Sequence, residues 1–302
     1  VAGDIYLSSS YVIDPVKGRI CRADDDRKEQ HDVLYKDLLA THERLASNSF
    51  SWDVEGARSR VSVIHSLGGI VFVIRKFPES VMALNSLRIP QFYCAELTQK
   101  QLTGLVLVAG KTHSGKTTTC AAVLLERLKL YGGIAITVED PCELKLEGGH
   151  GDGMCYQIDA ALHGGFASVL RDVVRMSPDV IFLGEIRDKD SAIEAVKAGT
   201  NGHLILATIH ADDCIGALLR LRSFVSQSDL ADVDQLISQG VGAVMHMKLE
   251  ERLGVTTPDV EFISFMGESN NGYRMNIQNG KHQLLSTAVQ SNKNEAKRSQ
   301  KV

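Results

Sequence analysis

Four short apolar runs, at 105–109, 134–138, 180–183 and 204–208, are separated by stretches whose apolar positions recur at helical spacing. Runs of this kind suit strands buried on both faces of a mainly parallel sheet. Residues 188–198 and 212–224 supply amphipathic helices between or after them, and the alternation predicts a doubly wound α/β domain. The N-terminal part is patterned differently. Residues 4–8 read as a short strand, and Val33, Leu34, Leu38, Leu39 and Leu45 mark a helix over 32–46. From Arg60 to Ile64 the chain alternates, with Val61 and Val63 inward and Ser62 outward; Gly68-Gly69 then turns into a strand at 70–74, which predicts a hairpin. Pro78 and Pro90 punctuate a segment without a strand, read as a linker. The resulting division is an α/β domain over 1–85, a linker over 86–102 and a second α/β domain over 103–290. The glycine-rich stretch 147–153 reads as a loop. Asn279-Gly280 predicts a type I′ hairpin between 273–277 and 282–285. The polar, mixed-charge residues 291–302 read as a disordered tail.

Composition narrows the classes. The chain has 302 residues, 44% hydrophobic and 23% charged, with a net charge of −4, as in ordinary globular proteins. That charge gives no global signal for nucleic acid. No apolar run approaches the ~20 residues that span a bilayer, and the first residues lack the marks of a signal peptide. The six cysteines, at positions 21, 94, 120, 142, 155 and 214, form no C-x-x-C pair, which argues against a zinc site or a disulfide framework. Cysteines without such a framework suit a reducing compartment and favour the cytoplasm.

The strongest chemical signal is Gly110-Lys111-Thr112-His113-Ser114-Gly115-Lys116-Thr117, which fits G-x-x-x-x-G-K-[ST]. It follows an apolar run and opens a helical pattern over 118–130, the context that a phosphate-binding loop requires. Backbone N–H groups there wrap phosphate oxygens at a helix N-terminus. Thr112, Ser114, Gly115, Lys116, Thr117 and Thr118 form the expected nucleotide-binding set, with Lys116 on the terminal phosphates and the Thr117 hydroxyl on Mg²⁺. His113 tolerates left-handed backbone better than most residues with a side chain.

Other segments carry acids, imidazoles and cations. The strand over 136–138 ends in Glu139, followed by Asp140 and Glu143; a carboxylate there can orient and deprotonate a water. Val180 to Leu183 leads to Gly184-Glu185, a Walker B arrangement with glycine where many such ATPases have Asp, so Glu185 acts on the metal through water or on the attacking water itself. His203 and His210 bracket one strand and are candidates to sense the terminal phosphate. Arg60 and Arg75 flank the N-terminal hairpin and are candidates for joint presentation to a phosphate on a neighbouring subunit.

With Leu170-Arg171, Arg175 and Pro178-Asp179 added, five ordered segments are similar to motifs of the type II/type IV secretion ATPase superfamily. The resemblance implies a RecA-like P-loop ATPase core with a smaller N-terminal α/β (PAS-like) domain. It implies ATP and Mg²⁺ as cofactors, Glu139 as general base, Glu185 as the Mg²⁺-linked acid (roles open to exchange), His203 and His210 near the phosphates, and Arg60 and Arg75 as trans-acting fingers. The implied assembly is a homo-hexamer, cytoplasmic and peripheral to the inner membrane, which turns a membrane platform protein of a pilus or secretion system by inter-domain rotation and has no direct nucleic-acid partner. A motor for a conjugative or type IV secretion channel is the related alternative; a nucleic-acid translocase is a more distant one. A strand-rich pattern after Val260 departs from the mainly helical ending of pilus retraction motors.

Overall fold

The computed structural model describes residues 4–14, 19–22, 28–54, 56–78, 80–252 and 255–299. The chain divides into two compact units. One comprises Val1–Ser80, Asp140–Lys145 and Asp159–His163; the other comprises Val81–Glu139, Leu146–Ile158 and Gly164–Val302.

The first unit is built on β1 (Ile5–Ser8), β2 (Tyr11–Asp14), β3 (Arg19–Arg22), α1 (Lys28–Leu45), β4 (Ser49–Val54), β5 (Ala57–Ser66) and β6 (Gly69–Lys76). Its strands form one antiparallel sheet in the order β3-β2-β1-β6-β5-β4. The alternation along β5 sends Ala57, Ser59 and Val61 inward and leaves Arg58, Arg60 and Ser62 on the other face. The core joins Leu7, Phe50, Val61, Phe72 and Ile74 of the sheet to Leu38 of α1, with Leu34, Tyr35 and Leu39 packed against it. Val33, which belongs to the predicted apolar set, is exposed.

The second unit contains α2 (Gln91–Thr98), β7 (Gly104–Ala109), α3 (Lys116–Tyr131), β8 (Gly133–Glu139), β9 (Gly148–His150), β10 (Gly153–Asp159), α4 (Phe166–Arg175), β11 (Val180–Leu183), α5 (Lys189–Thr200), β12 (Leu204–Ile209), α6 (Cys214–Val225), α7 (Val233–Gly240), β13 (Val241–Arg252), β14 (Val255–Ser264), α8 (Asn271–Gln278) and α9 (Ser286–Ser299). Its eight strands run in the order β14-β13-β7-β12-β11-β8-β10-β9. β8, β11, β12, β7 and β13 are parallel, so their carboxyl ends share one edge of the sheet, where ligands bind in such folds. β7, β11 and β12 are buried throughout, as their unbroken apolar runs require.

Several readings of the sequence are corrected here. The linker over 86–102 belongs to the second unit: α2 lies within it, and Leu84, Ile89, Tyr93, Leu97 and Leu102 are buried. Pro90 stands immediately before α2, where a missing N–H costs nothing. The loop over 147–153 is the start of the β9–β10 hairpin. Asn279-Gly280 is not a β-turn but the end of α8, with Asn279 as C-cap and Gly280 at φ 68, the left-handed position that closes helices. The strand-rich reading after Val260 therefore gives way to helices beyond Ser264. The tail reading fails over 291–299, which lie in α9; Ala288, Val289 and Ala296 are buried, and Lys293 pairs with Asp259 at 2.7 Å. Residues 300–302 of that tail lie outside the described residues.

Candidate functional site

β7 ends at Ala109 on the carboxyl edge of the sheet, and the loop 110–115 returns the chain into α3. Two glycines make the return possible. A β-carbon at Gly110 would collide with the Met247 carbonyl and the Ser114 hydroxyl, and Gly115 caps α3 at φ 92. His113 takes φ 63, the left-handed backbone that its side chain was expected to tolerate. β13 buttresses the loop from below. The Met247 thioether accepts a hydrogen bond from Thr119 Oγ1 at 3.4 Å, and its methyl group lies under Gly115.

Lys116 is the first residue of α3 and is buried. Its ammonium donates to the Lys111 carbonyl at 2.8 Å. Burial holds it below its usual range, while the charge of Glu185 works the other way. The Ser114 hydroxyl is buried without a hydrogen-bond partner. A desolvated ammonium, an orphaned hydroxyl and the exposed N–H groups of a helix start together fit a polyphosphate. Thr117 is half-buried one residue along. Among the described residues no group of three His, Cys, Asp or Glu side chains could hold a metal by itself.

Two acids reach the same edge. Glu139 ends β8 and is 2% exposed. Its Oε1 accepts from Thr137 Oγ1 at 2.7 Å and Gln157 Nε2 at 3.1 Å. Glu185 follows β11, and its neighbours are pinned on both sides: Gly184 N–H donates to Val138 O at 2.8 Å and Ile186 N–H to Thr208 O at 2.9 Å. Thr208 Oγ1 donates to Gly184 O at 2.5 Å. A β-carbon at Gly184 would lie 3.3 Å from Glu139 Cα, so the glycine lets the two acid-bearing turns approach closely. An Asp at this position, as in other Walker B strands, would require the Glu139 backbone to give by a few tenths of an ångström.

The structure separates the two histidines. His210 follows β12 at the carboxyl edge, and its Nε2 lies 3.1 Å from Glu185 Oε1. His203 precedes β12, with its carbonyl accepting from Gly104 N–H at 2.9 Å at the opposite edge. A six-residue strand spans ~20 Å, so the expectation that His203 touches the phosphate region is corrected. Asp188 and Asp213, both inside the motif segments, cap α5 and α6 by accepting from Ser191 N–H and Gly216 N–H at 2.8 and 2.6 Å. The acidic segment is also divided: Glu139 stays with the sheet, whereas Asp140 and Glu143 belong to the first unit.

In that unit Arg60 and Arg75 are direct register partners on β5 and β6, as joint presentation requires. Each is engaged. Arg60 Nη2 lies 3.4 Å from Glu143 Oε1 and 3.3 Å from the Asp140 carbonyl, while its buried Nε has no partner. Arg75 grips Asp4 through two bonds of 2.7 Å and holds that carboxyl below the usual carboxylate range.

Sequence reasoning missed Gln157 and Met247. Each comes from a distant segment, and no spacing rule links them to the loop or to Glu139.

Residues 48–297 match the family described as type II/IV secretion system protein. The chain belongs to this family. It is 29% identical over 268 residues to the type IV pilus retractation ATPase PilT of Pseudomonas aeruginosa, covering 84% of this chain and 75% of that protein. It is 39% identical over 150 residues to a putative type II secretion system protein E of Escherichia coli, covering 50% of this chain and 28% of the relative. The chain thus spans well under a third of such type II relatives. Among solved structures, the pilus retraction motor PilT with bound ADP superposes with TM-score 0.78 at 24% identity, covering 96% of this chain and 86% of that one. The ATPase DotB of Legionella pneumophila gives 0.76 at 19% identity, covering 94% and 84%. These likenesses establish the fold as that of the P-loop ATPases of this family.

Proposed function

We propose that this chain is a Mg²⁺-dependent ATPase that acts as a homo-hexameric motor in type IV pilus dynamics or type II/IV secretion. The observation that carries the reading is the convergence, on one sheet edge, of the phosphate loop with Lys116, the buried Glu139, and the Glu185–His210 pair. Family membership supports it.

In this reading Thr112, Ser114, Gly115, Lys116, Thr117 and Thr118 bind the phosphates, and Thr117 and, through water, Glu185 hold Mg²⁺. Glu139 takes the proton of the attacking water; the water oxygen bonds to the γ-phosphorus as the bond to the ADP oxygen breaks. Burial and two donors on one oxygen hold Glu139 in a single orientation. Glu185 is the charge that Lys116 senses, which favours its place beside the phosphates and metal. His210, bonded to Glu185, is placed to register loss of the γ-phosphate. Arg60 and Arg75 act in trans on the next subunit's ATP, once Arg60 exchanges Glu143 for phosphate. Among the described residues no helix is long and apolar enough to cross a membrane; we place the hexamer in the cytoplasm against an inner-membrane platform protein.

Phosphate release from ATP by the purified chain, with and without EDTA, tests the activity. Steady Mg²⁺-dependent release supports it, and none at hexamer-forming concentrations contradicts it. The histidines give a sharper check. His210→Ala is expected to lower kcat roughly tenfold or more with ADP affinity little changed, whereas His203→Ala leaves kcat within about threefold. Equal losses of kcat would contradict the edge assignment.

A further inference from the structure

Gln157 sits on β10, a strand that none of the nucleotide-binding motifs includes, and its side chain is bonded at both ends of the amide. Its Oε1 accepts from Leu146 N–H at 2.7 Å and Glu147 N–H at 2.9 Å. Its own backbone N–H donates to Glu147 Oε2 at 2.6 Å. Two backbone donors on the carbonyl oxygen fix which end of the amide is which. The NH₂ end is thereby aimed at Glu139, where Nε2 meets Oε1 at 3.1 Å. Thr137 Oγ1 donates to the same oxygen from within β8. Glu139 itself is 2% exposed, so the orientation of its carboxylate is set by protein donors rather than by bulk water.

We infer that Gln157 is a positioning residue for hydrolysis: pinned by the 146–147 backbone, it holds the Glu139 carboxylate in one rotamer. The inference rests on Glu139 being the general base. Hydrogen bonds to a carboxylate favour its charged form, so losing one raises the pH at which it ionises.

The test compares Gln157→Ala, Gln157→Glu and Thr137→Val with the wild-type chain, reading kcat against pH and ADP affinity by calorimetry. Gln157→Ala is expected to lower kcat roughly 10- to 100-fold, with ADP affinity within about threefold, and to move the acid limb of the kcat profile upward by about one pH unit. Gln157→Glu sets a second carboxylate against Glu139 and moves the limb further in the same direction. Thr137→Val preserves side-chain shape, removes the other donor to the same Glu139 oxygen and moves the limb the same way, so the inference stays testable if the Gln157 variants do not fold. Loss of kcat and ADP affinity in proportion, with the acid limb unmoved, would make Gln157 a merely structural residue and overturn the inference. Glu139→Gln separates the two claims. If that variant is inactive while Gln157→Ala and Thr137→Val match wild type, only the positioning role fails. If it retains full turnover, the base assignment itself is wrong.

Discussion

Lys116→Ala is expected to cut ATP turnover by about 10²–10³-fold or more, the cost of removing a preorganised group aimed at developing phosphate charge. The structure makes the outcome more specific than loss of activity. Lys116 is buried, and burial disfavours its ammonium. In the absence of nucleotide the folded chain therefore carries a desolvated cation held by a single carbonyl contact at 2.8 Å. Removing it should leave the melting temperature of the nucleotide-free protein unchanged or slightly raised. ADP and Mg²⁺ are expected to raise the melting temperature of the wild-type chain, and in the variant that rise should shrink sharply, because it reports binding to the native state alone. Thermal melts with and without ADP check both halves. A full nucleotide-dependent shift in the variant would place the phosphates elsewhere. A collapse of the nucleotide-free protein would make Lys116 structural.

Glu139→Gln is expected to reduce kcat by about 10²–10⁴-fold, the range for a positioned general base. The replacement keeps a carbonyl oxygen to accept from Thr137 and Gln157, so the local geometry survives and ADP affinity should stay within about threefold. Glu185→Gln should behave differently. It lies beside His210 and acts on Lys116, and its loss should raise the Mg²⁺ concentration needed for half-maximal rate. A Mg²⁺ titration of each variant's phosphate release separates the two roles. If Glu139→Gln shifts the Mg²⁺ requirement and Glu185→Gln only depresses kcat, the assignments must be exchanged.

The strands β7, β11 and β12 were legible because a strand covered on both faces has to be continuously apolar, and β8 because the same holds for most of its length, although Ile134 at its start is exposed. The phosphate loop was legible because its chemistry is local: Gly110, Gly115, Lys116 and a helix start lie within eight positions. β13 was not read, since its first half is buried and its second half, Lys248 to Glu251, is charged; no single period spans both. The same limit hid α9. Its polar sequence leaves only a narrow apolar stripe, and the contacts that order it, Lys293 to Asp259 and Asn292 to the Phe262 carbonyl, come from about thirty residues away. Asn279-Gly280 shows the reverse failure. The dipeptide suits a hairpin turn and a helix end equally, and the preceding residues decide between them. His203 and His210 were distinguishable in principle. Strand polarity alone sends the residue after a parallel strand to the ligand edge and the residue before it to the far edge. Gln157 lay beyond reach, because its role is a meeting of segments eighteen residues apart.

The most direct test of the account is ATPase rate against protein concentration, with molar mass by light scattering on the same samples, for the wild-type chain and Arg60→Ala. Arg60 carries a buried Nε without a partner, and its Nη2 is held by Glu143 at 3.4 Å and by the Asp140 carbonyl at 3.3 Å, contacts that a trans-acting role requires it to exchange for a neighbour's phosphate. The account predicts that specific activity rises steeply as the mass reaches that of a hexamer. In Arg60→Ala, that rise should be lost, while assembly and ADP binding persist. Full activity as a monomer, unaffected by Arg60→Ala, would contradict a ring motor with shared sites.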